Sequence, residues 1–172
     1  MSVVLQRLAR LRVPLGFVAA VAAVLLARPT PQSWTAGFAV ALIGEVIRIW
    51  AAGHLEKSRE VTRSGPYRYS RHPLYVGSSV IAAGVVIAAR SGIVLALAAI
   101  YMGVTLTAAI RTEEAFLRQA FGSAYDEYRE ARGTPMARPF SWARALKNRE
   151  YRAVVGLLAG FGLLALKMSV SL

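Results

Sequence analysis

Five apolar runs joined by short polar segments leave this 172-residue chain few folds to choose from. They lie at about 13–27, 34–53, 74–89, 93–110 and 153–172, the third starting at Pro73 or Leu74. A backbone surrounded by lipid must satisfy its hydrogen bonds within one segment, so each run is expected to be a helix. The hydrophobic share of 56% and mean hydropathy of +0.46 are too high for an ordinary soluble domain. The expected fold is therefore all-α: a polytopic membrane helix bundle of about five transmembrane helices, with residues 1–172 as one domain. The first and third runs are short for a hydrocarbon core of ~30 Å. Trp34 is expected as an interfacial anchor, and Lys167 is expected to snorkel outward.

Charge orients the bundle. A net charge of +12 would suggest nucleic acid in a soluble chain. In a membrane chain, retention of Lys and Arg on the cytoplasmic side accounts for it, and nucleic acid is not expected as a partner. Eighteen of the 21 Lys and Arg residues fall in 1–12, 48–71 and 111–152, leaving Arg28, Arg90 and Lys167 for the other side. This distribution predicts a cytoplasmic amino terminus, an odd number of spans and insertion in the cytoplasmic (inner) membrane. Arg7, Arg10 and Arg12 before an apolar run resemble a signal peptide, but no small-residue cleavage site follows, so the run is read as a retained span. Glycines recur within the runs as Gly37 and Gly44, Gly77 and Gly84, and Gly156 and Gly160. Such positions let helices approach closely, and the last pair, a GxxxG, also allows a homodimer.

Polar chemistry concentrates in "RSGPYRYSRHPLYVGSS", residues 63–79. Gly65-Pro66 signals a turn. Pro73 suits the first position of a helix and pushes His72 toward the dihedrals of an N-cap. Free N–H groups at such a start can receive an anion, with Arg71 and His72 as further donors. Equally, Arg71 is a positive-inside residue, Tyr75 a belt aromatic and His72 a solvated cap.

A second segment, "RTEEAFLRQAFGSAYDEYRE", follows the fourth run. Glu113 and Glu114 would be disfavoured at a helix carboxyl end, so the helix is expected to continue to a stop at Phe121-Gly122. Tyr125 and Tyr128 then begin a short amphipathic stretch.

Together, "GPYRYSRHPLYVG" (65–77) and "EEAFLRQAFGSAYDEY" (113–128) resemble the isoprenylcysteine carboxyl methyltransferase and phospholipid methyltransferase superfamily. Its members are small integral-membrane enzymes that use S-adenosylmethionine. The resemblance covers roughly 40–140, with a further carboxyl-terminal helix at about 153–172. It implies a cofactor site where the cytoplasmic loop and amphipathic helix meet the ends of spans three and four. The family's RHPxYxG pattern falls on Arg71, His72, Pro73, Tyr75 and Gly77, and its acidic pair on Glu113 and Glu114. On this reading the cofactor carboxylate suits the helix start at His72. Ribose hydroxyls and the amino group suit Glu113 or Glu114. Adenine packs on Tyr67, Tyr75 or Phe121, and the small residues after Tyr75 leave it room. Ala124 stands where members often carry an acidic residue. The implied reaction is methyl transfer to a hydrophobic or membrane-associated acceptor: a carboxylate, an amine or a lipid headgroup.

For the acceptor end, Glu45 and Arg48 share a face inside span two. Charges within a membrane are functional candidates by default. Glu45 would contact an amine or act as base, and Arg48 would meet an acidic group; Arg129, Arg132 and Arg138 are alternatives for that role. An internal ion pair holding span two to its neighbours explains the same two residues. His54 points away from them on an ideal helix. With no cysteine, two histidines and no HExxH, a metal centre is not expected. A membrane reductase of the sterol-reductase type using NADPH, and a non-catalytic membrane scaffold, are the competing classes. The first predicts NADPH binding in place of S-adenosylhomocysteine; the second predicts neither.

Overall fold

The computed structural model describes residues 3–130, 132, 134 and 136–170, with side chains from Pro14 onward. Among them run seven α-helices: α1 (Val3–Leu26), α2 (Pro31–His54), α3 (Pro73–Ala89), α4 (Gly92–Phe121), α5 (Ser123–Arg129), α6 (Trp142–Lys147) and α7 (Tyr151–Val170). A 3₁₀ turn occupies Gly65–Arg68, and the described residues contain no strand. Three helices, α2, α4 and α7, are long and apolar enough to cross a membrane, while Pro14–Leu26 and α3 are shorter apolar helices. The all-α membrane bundle expected from the sequence is therefore observed. α1 begins at Val3 rather than near residue 13, because Leu, Ala, Gln and Arg propagate a helix whatever their charge.

α2 and α3 form the central antiparallel pair, and glycines bring their backbones together. A Cβ on Gly37 would lie 2.4 Å from the Gly84 carbonyl oxygen, and one on Gly44 would lie 2.7 Å from that of Gly77. Gly37 thus faces Gly84 and Gly44 faces Gly77, so each seven-residue step on one helix meets the same step on the other. Two of the three expected glycine pairs make the close approach. The third does not: Gly156 and Gly160 meet no atom within 4 Å of an added Cβ. They line a cavity of about 370 Å³ between α1, α3 and α7. Gly156 is exposed and Gly160 half-buried along this open groove.

α7 is fastened to α2 by an aromatic trio. Trp34 stacks on Phe38 at 5.0 Å between ring centroids, Phe38 meets Phe161 edge-on at 5.1 Å, and the Trp34 indole donates to the Phe161 carbonyl at 2.9 Å. Trp34 is thus also an interhelical tie. Lys167 reaches the same end of the bundle as Arg28 and Arg90. Its ammonium donates to the Val24 and Leu25 carbonyls at 2.9 and 2.6 Å, where a cation suits the carboxyl end of α1.

The segment after α5 wraps the carboxyl end of α2. Arg138 pairs with Glu60 through two bonds of 2.5 and 2.7 Å. Phe140 fills the space that a side chain at Gly53 would need, and Asn148 donates to the Ala52 and Leu55 carbonyls at 2.9 Å each. The two Asn148 bonds satisfy carbonyls that the helix end leaves free. Asn148→Ala is expected to cost about 1–2 kcal/mol on the net worth of such bonds. A thermal melt in detergent checks it, and an unchanged melting temperature would remove the cap from the account.

Candidate functional site

At ~1.5 Å per residue α4 reaches about 45 Å, well beyond a ~30 Å core, so its last turns project past the apolar layer. They carry Glu113 and Glu114, as the continuing helix required, and the helix ends at Phe121 with Gly122 in a positive-φ conformation. α3 starts beside them, with Pro73 in its first turn and His72 at the N-cap. The His72 side chain makes no cap bond. Instead its Nε2 lies 3.2 Å from Glu114 Oε1 and its Nδ1 4.0 Å from Glu113 Oε2. Arg71 Nη1 reaches the same Glu114 oxygen at 3.1 Å. The two motifs, separated by the α3–α4 hairpin in sequence, meet in one cluster.

The rings assemble around it. Tyr75 stacks on His72, with centroids 5.7 Å apart and planes 27° from parallel. Tyr125 on α5 is buried, and its hydroxyl sits near Glu114 and Arg71 without reaching hydrogen-bond geometry. Burial first, and the Glu114 charge second, push that phenol up from its usual range. Tyr128 donates its hydroxyl to the Tyr67 carbonyl at 2.7 Å, and Arg63 Nη2 donates to the Ala124 carbonyl at 2.5 Å. Burial pushes the Tyr128 phenol up to about 12, so it stays a protonated donor at neutral pH. These bonds clasp α5 to the loop before α3, with buried Tyr67 beneath. Tyr128→Phe is expected to lower amide protection in α5 by about 1 kcal/mol, the net worth of one such bond. Hydrogen exchange reads it; unchanged protection would mean that α5 is held elsewhere.

Gly77 does not belong to this cluster as space for a ligand. A Cβ there would sit 2.5 Å from Arg48 Cγ and 2.7 Å from the Gly44 carbonyl oxygen. Its missing side chain is filled by α2, so of the small residues after Tyr75 this one serves helix packing, while Ser79 is exposed.

Arg48 lies one layer deeper. Its Nε donates to Glu150 Oε1 at 2.7 Å, while Glu45 Oε2 stands 4.0 Å away. Its Nη1 donates to Ser78 Oγ at 2.5 Å and approaches the Leu74 carbonyl at 3.5 Å. Both Glu45 oxygens are buried without a hydrogen-bond partner. Glu150, just before α7, was missed by sequence reasoning. It is 102 residues from Arg48, and no local signal marks it beyond being an acid at the start of an apolar run. Arg48 and Ser78 close one end of the 370 Å³ cavity, whose other walls are apolar or small. Arg129 is exposed at the end of α5 and, among the described residues, makes no ion pair with either acidic cluster. His54 is buried on Ser64 Oγ at 3.1 Å, apart from the Arg48 cluster as its helical phase predicts.

The residues at the motif end suit a ligand carrying an anionic group, a cationic group and a flat ring. Arg71 and Glu113 keep 42% and 41% of their side chains exposed. Buried His72 Nδ1 and the Tyr125 hydroxyl have unused bonding capacity.

The profile of the phospholipid methyltransferase family matches residues 32–124, from the start of α2 through α4 to the first residues of α5. A cobalt-zinc-cadmium resistance protein of Cupriavidus metallidurans is 35% identical over 108 residues, covering 62% of this chain and 49% of that protein. A nickel-cobalt-cadmium resistance protein of Alcaligenes xylosoxydans xylosoxydans is 34% identical over 103 residues, covering 59% and 47%. The chain spans about half the length of the curated relatives it matches. No solved structure matches. With the profile covering more than half of its length, and both motifs meeting at the projecting end of α4, the chain belongs to the phospholipid methyltransferase family, within the isoprenylcysteine carboxyl methyltransferase-like superfamily.

Proposed function

We propose that the chain transfers a methyl group from S-adenosylmethionine to a lipophilic acceptor, a carboxylate, an amine or a lipid headgroup, at the cytoplasmic face of the inner membrane. The observation that carries this is the junction of Arg71, His72 and Tyr75 with Glu113 and Glu114 in a chain of this family. When bound, the cofactor supplies an electrophilic methyl group on a sulfonium. Arg71 and the amino end of α3 hold its carboxylate, Glu113 and Glu114 accept from its ammonium or ribose hydroxyls, and Tyr75 or Tyr67 carries the ring. The donor set fits each group without a glycine-rich loop. Pro73 fixes the helix start on which Arg71 and His72 stand.

Direct displacement asks little covalent help of the protein; it needs alignment and a desolvated nucleophile. The cavity beside Arg48 supports this half of the reading. It runs along Ala153 to Leu164 of α7, about 16 Å by helical rise, and Ser78 at its polar end lies nearly two turns of α3, roughly 9 Å, from His72. An acceptor tail lies against Ala20, Ile81 and Gly160, with its reactive head toward Ser78. Arg48 then orients an anionic head; Glu45 does not line the cavity and stands behind Arg48, 4.0 Å from its Nε. The amino terminus lies in the cytoplasm on the charge argument above.

Glu114→Gln is expected to weaken S-adenosylhomocysteine binding at least tenfold, since it removes the charge shared by Arg71 and His72. Isothermal calorimetry in detergent reads it, beside tritiated-methyl transfer over a panel of lipid and amine acceptors. Wild-type protein that binds NADPH, or neither ligand, defeats the proposal.

A further inference from the structure

A second cavity lies at the opposite end of the bundle, away from both motifs. It measures about 1070 Å³ and is walled by the end of α1, the start of α2, the α3–α4 joint and the last turns of α7. Arg28, Arg90 and Lys167 all line it. These are the three cations that the charge distribution leaves outside the basic segments, and the fold gathers them into one place. Their backbones are tied together: Arg28 N–H donates to the Ala89 carbonyl at 2.7 Å, and Lys167 holds the Val24 and Leu25 carbonyls.

The electrostatics are one-sided. All nine acidic residues lie at Glu45 or in the motif-end segments, and none lines this cavity. Arg28 and Arg90 are exposed, and neither guanidinium makes a hydrogen bond or ion pair among the described residues. The amino ends of α2 and α4, capped by Thr30 and Ser91, open on the same space and add to its positive potential. Beside the cations stand apolar side chains left open among the described residues: Leu25 is 69% exposed and Ile93 60%. Backbone geometry adds that Arg90 closes α3 at φ 47°, a conformation usually left to glycine or asparagine.

Charged and apolar surfaces in this order match one occupant. We infer that this cavity binds an anionic phospholipid of the leaflet opposite the motif cluster. Arg28 and Arg90 grip its phosphate, Lys167 adds its remaining donor, and the acyl chains lie on Leu25, Leu26 and Ile93. A free phosphate would use the cations but leave the apolar wall bare. The site is separate from the methyl-transfer reading and does not depend on it.

Native mass spectrometry of the full chain, released from nanodiscs of equal phosphatidylglycerol and phosphatidylethanolamine, tests the inference. Wild-type protein should retain one phosphatidylglycerol in preference. Arg28→Gln/Arg90→Gln should cut that preference roughly tenfold or more, from the attraction each cation near a membrane surface supplies. Arg28→Lys/Arg90→Lys should restore most of it, and Lys57→Gln/Arg59→Gln, exposed at the other end, should leave it unchanged. Circular dichroism of each variant reads folding, and the lysine pair keeps the test decisive if the glutamine pair unfolds. Equal retention of both lipids by wild-type protein overturns the inference. So does displacement of the lipid by millimolar inorganic phosphate, which would mark a site for the free ion.

Discussion

Gly44→Leu should unseat α3 from α2. At Gly44 even a Cβ would sit 2.7 Å from the Gly77 carbonyl oxygen and the Ile81 amide nitrogen. Both are main-chain atoms of a helix, so neither can turn aside as a side chain could. Relief requires moving α3 bodily, and with it Pro73, His72 and the Arg48–Ser78 bond. Overfilling a tight core usually costs about 1–3 kcal/mol, and rigid backbone on the far side puts this substitution at or above the top of that range. Unfolding in mixed micelles measures it. Gly103→Ala is the matching control: nothing lies within 4 Å of an added Cβ there, and alanine favours a helix interior by about 1 kcal/mol. If Gly44→Leu melts with wild type, the close approach of α2 and α3 is not what holds the pair.

The second large effect is expected at Arg48. Its guanidinium is the only cation within ion-pair reach of Glu45 and Glu150 among the described residues. Glu150 is buried and bonded to it at 2.7 Å, whereas Glu45 makes no hydrogen bond at all. Arg48→Met keeps the stem and strands two carboxylates, a change expected to cost about 3–5 kcal/mol. Glu150→Gln in the Arg48→Met background should recover part of that loss. Glu45→Gln alone should cost little, because no bond is broken. A double-mutant cycle on unfolding free energy separates these outcomes. Equal losses for Glu45→Gln and Glu150→Gln would show that Arg48 serves both carboxylates alike.

Local signals in the sequence foretold local structure well. Pro73 announced the start of α3 and put His72 at its cap, and Glu113-Glu114 required α4 to continue until Phe121-Gly122. The apolar runs marked the helices because a lipid-facing backbone has few alternatives. What stayed hidden depended on partners far along the chain. Glu150 reads as one more charge near a helix start until folding sets it on Arg48. Gly77 sits inside a ligand motif, yet its space is filled by Arg48 and Gly44. Gly156 and Gly160 carry an association pattern but face a cavity, since the pattern states that a helix surface is small and not what lies opposite. α6 is six residues long with no apolar period to betray it, and it is held by contacts with the end of α2.

Arg63 and Tyr128 close the loop over α5 through the carbonyls of Ala124, Tyr67 and Ser70. Each acceptor is main chain, so the fastening recognises a position and not the residue occupying it. The side chain at 124 can therefore change without undoing it, whereas Tyr67 is buried and Ser70 Oγ accepts from the His72 N–H at 3.2 Å. Relatives can carry an acid where this chain has Ala124 and still hold α5 in place. The latch depends on backbone position, so the face it presents to a ligand can change one residue at a time without loosening it.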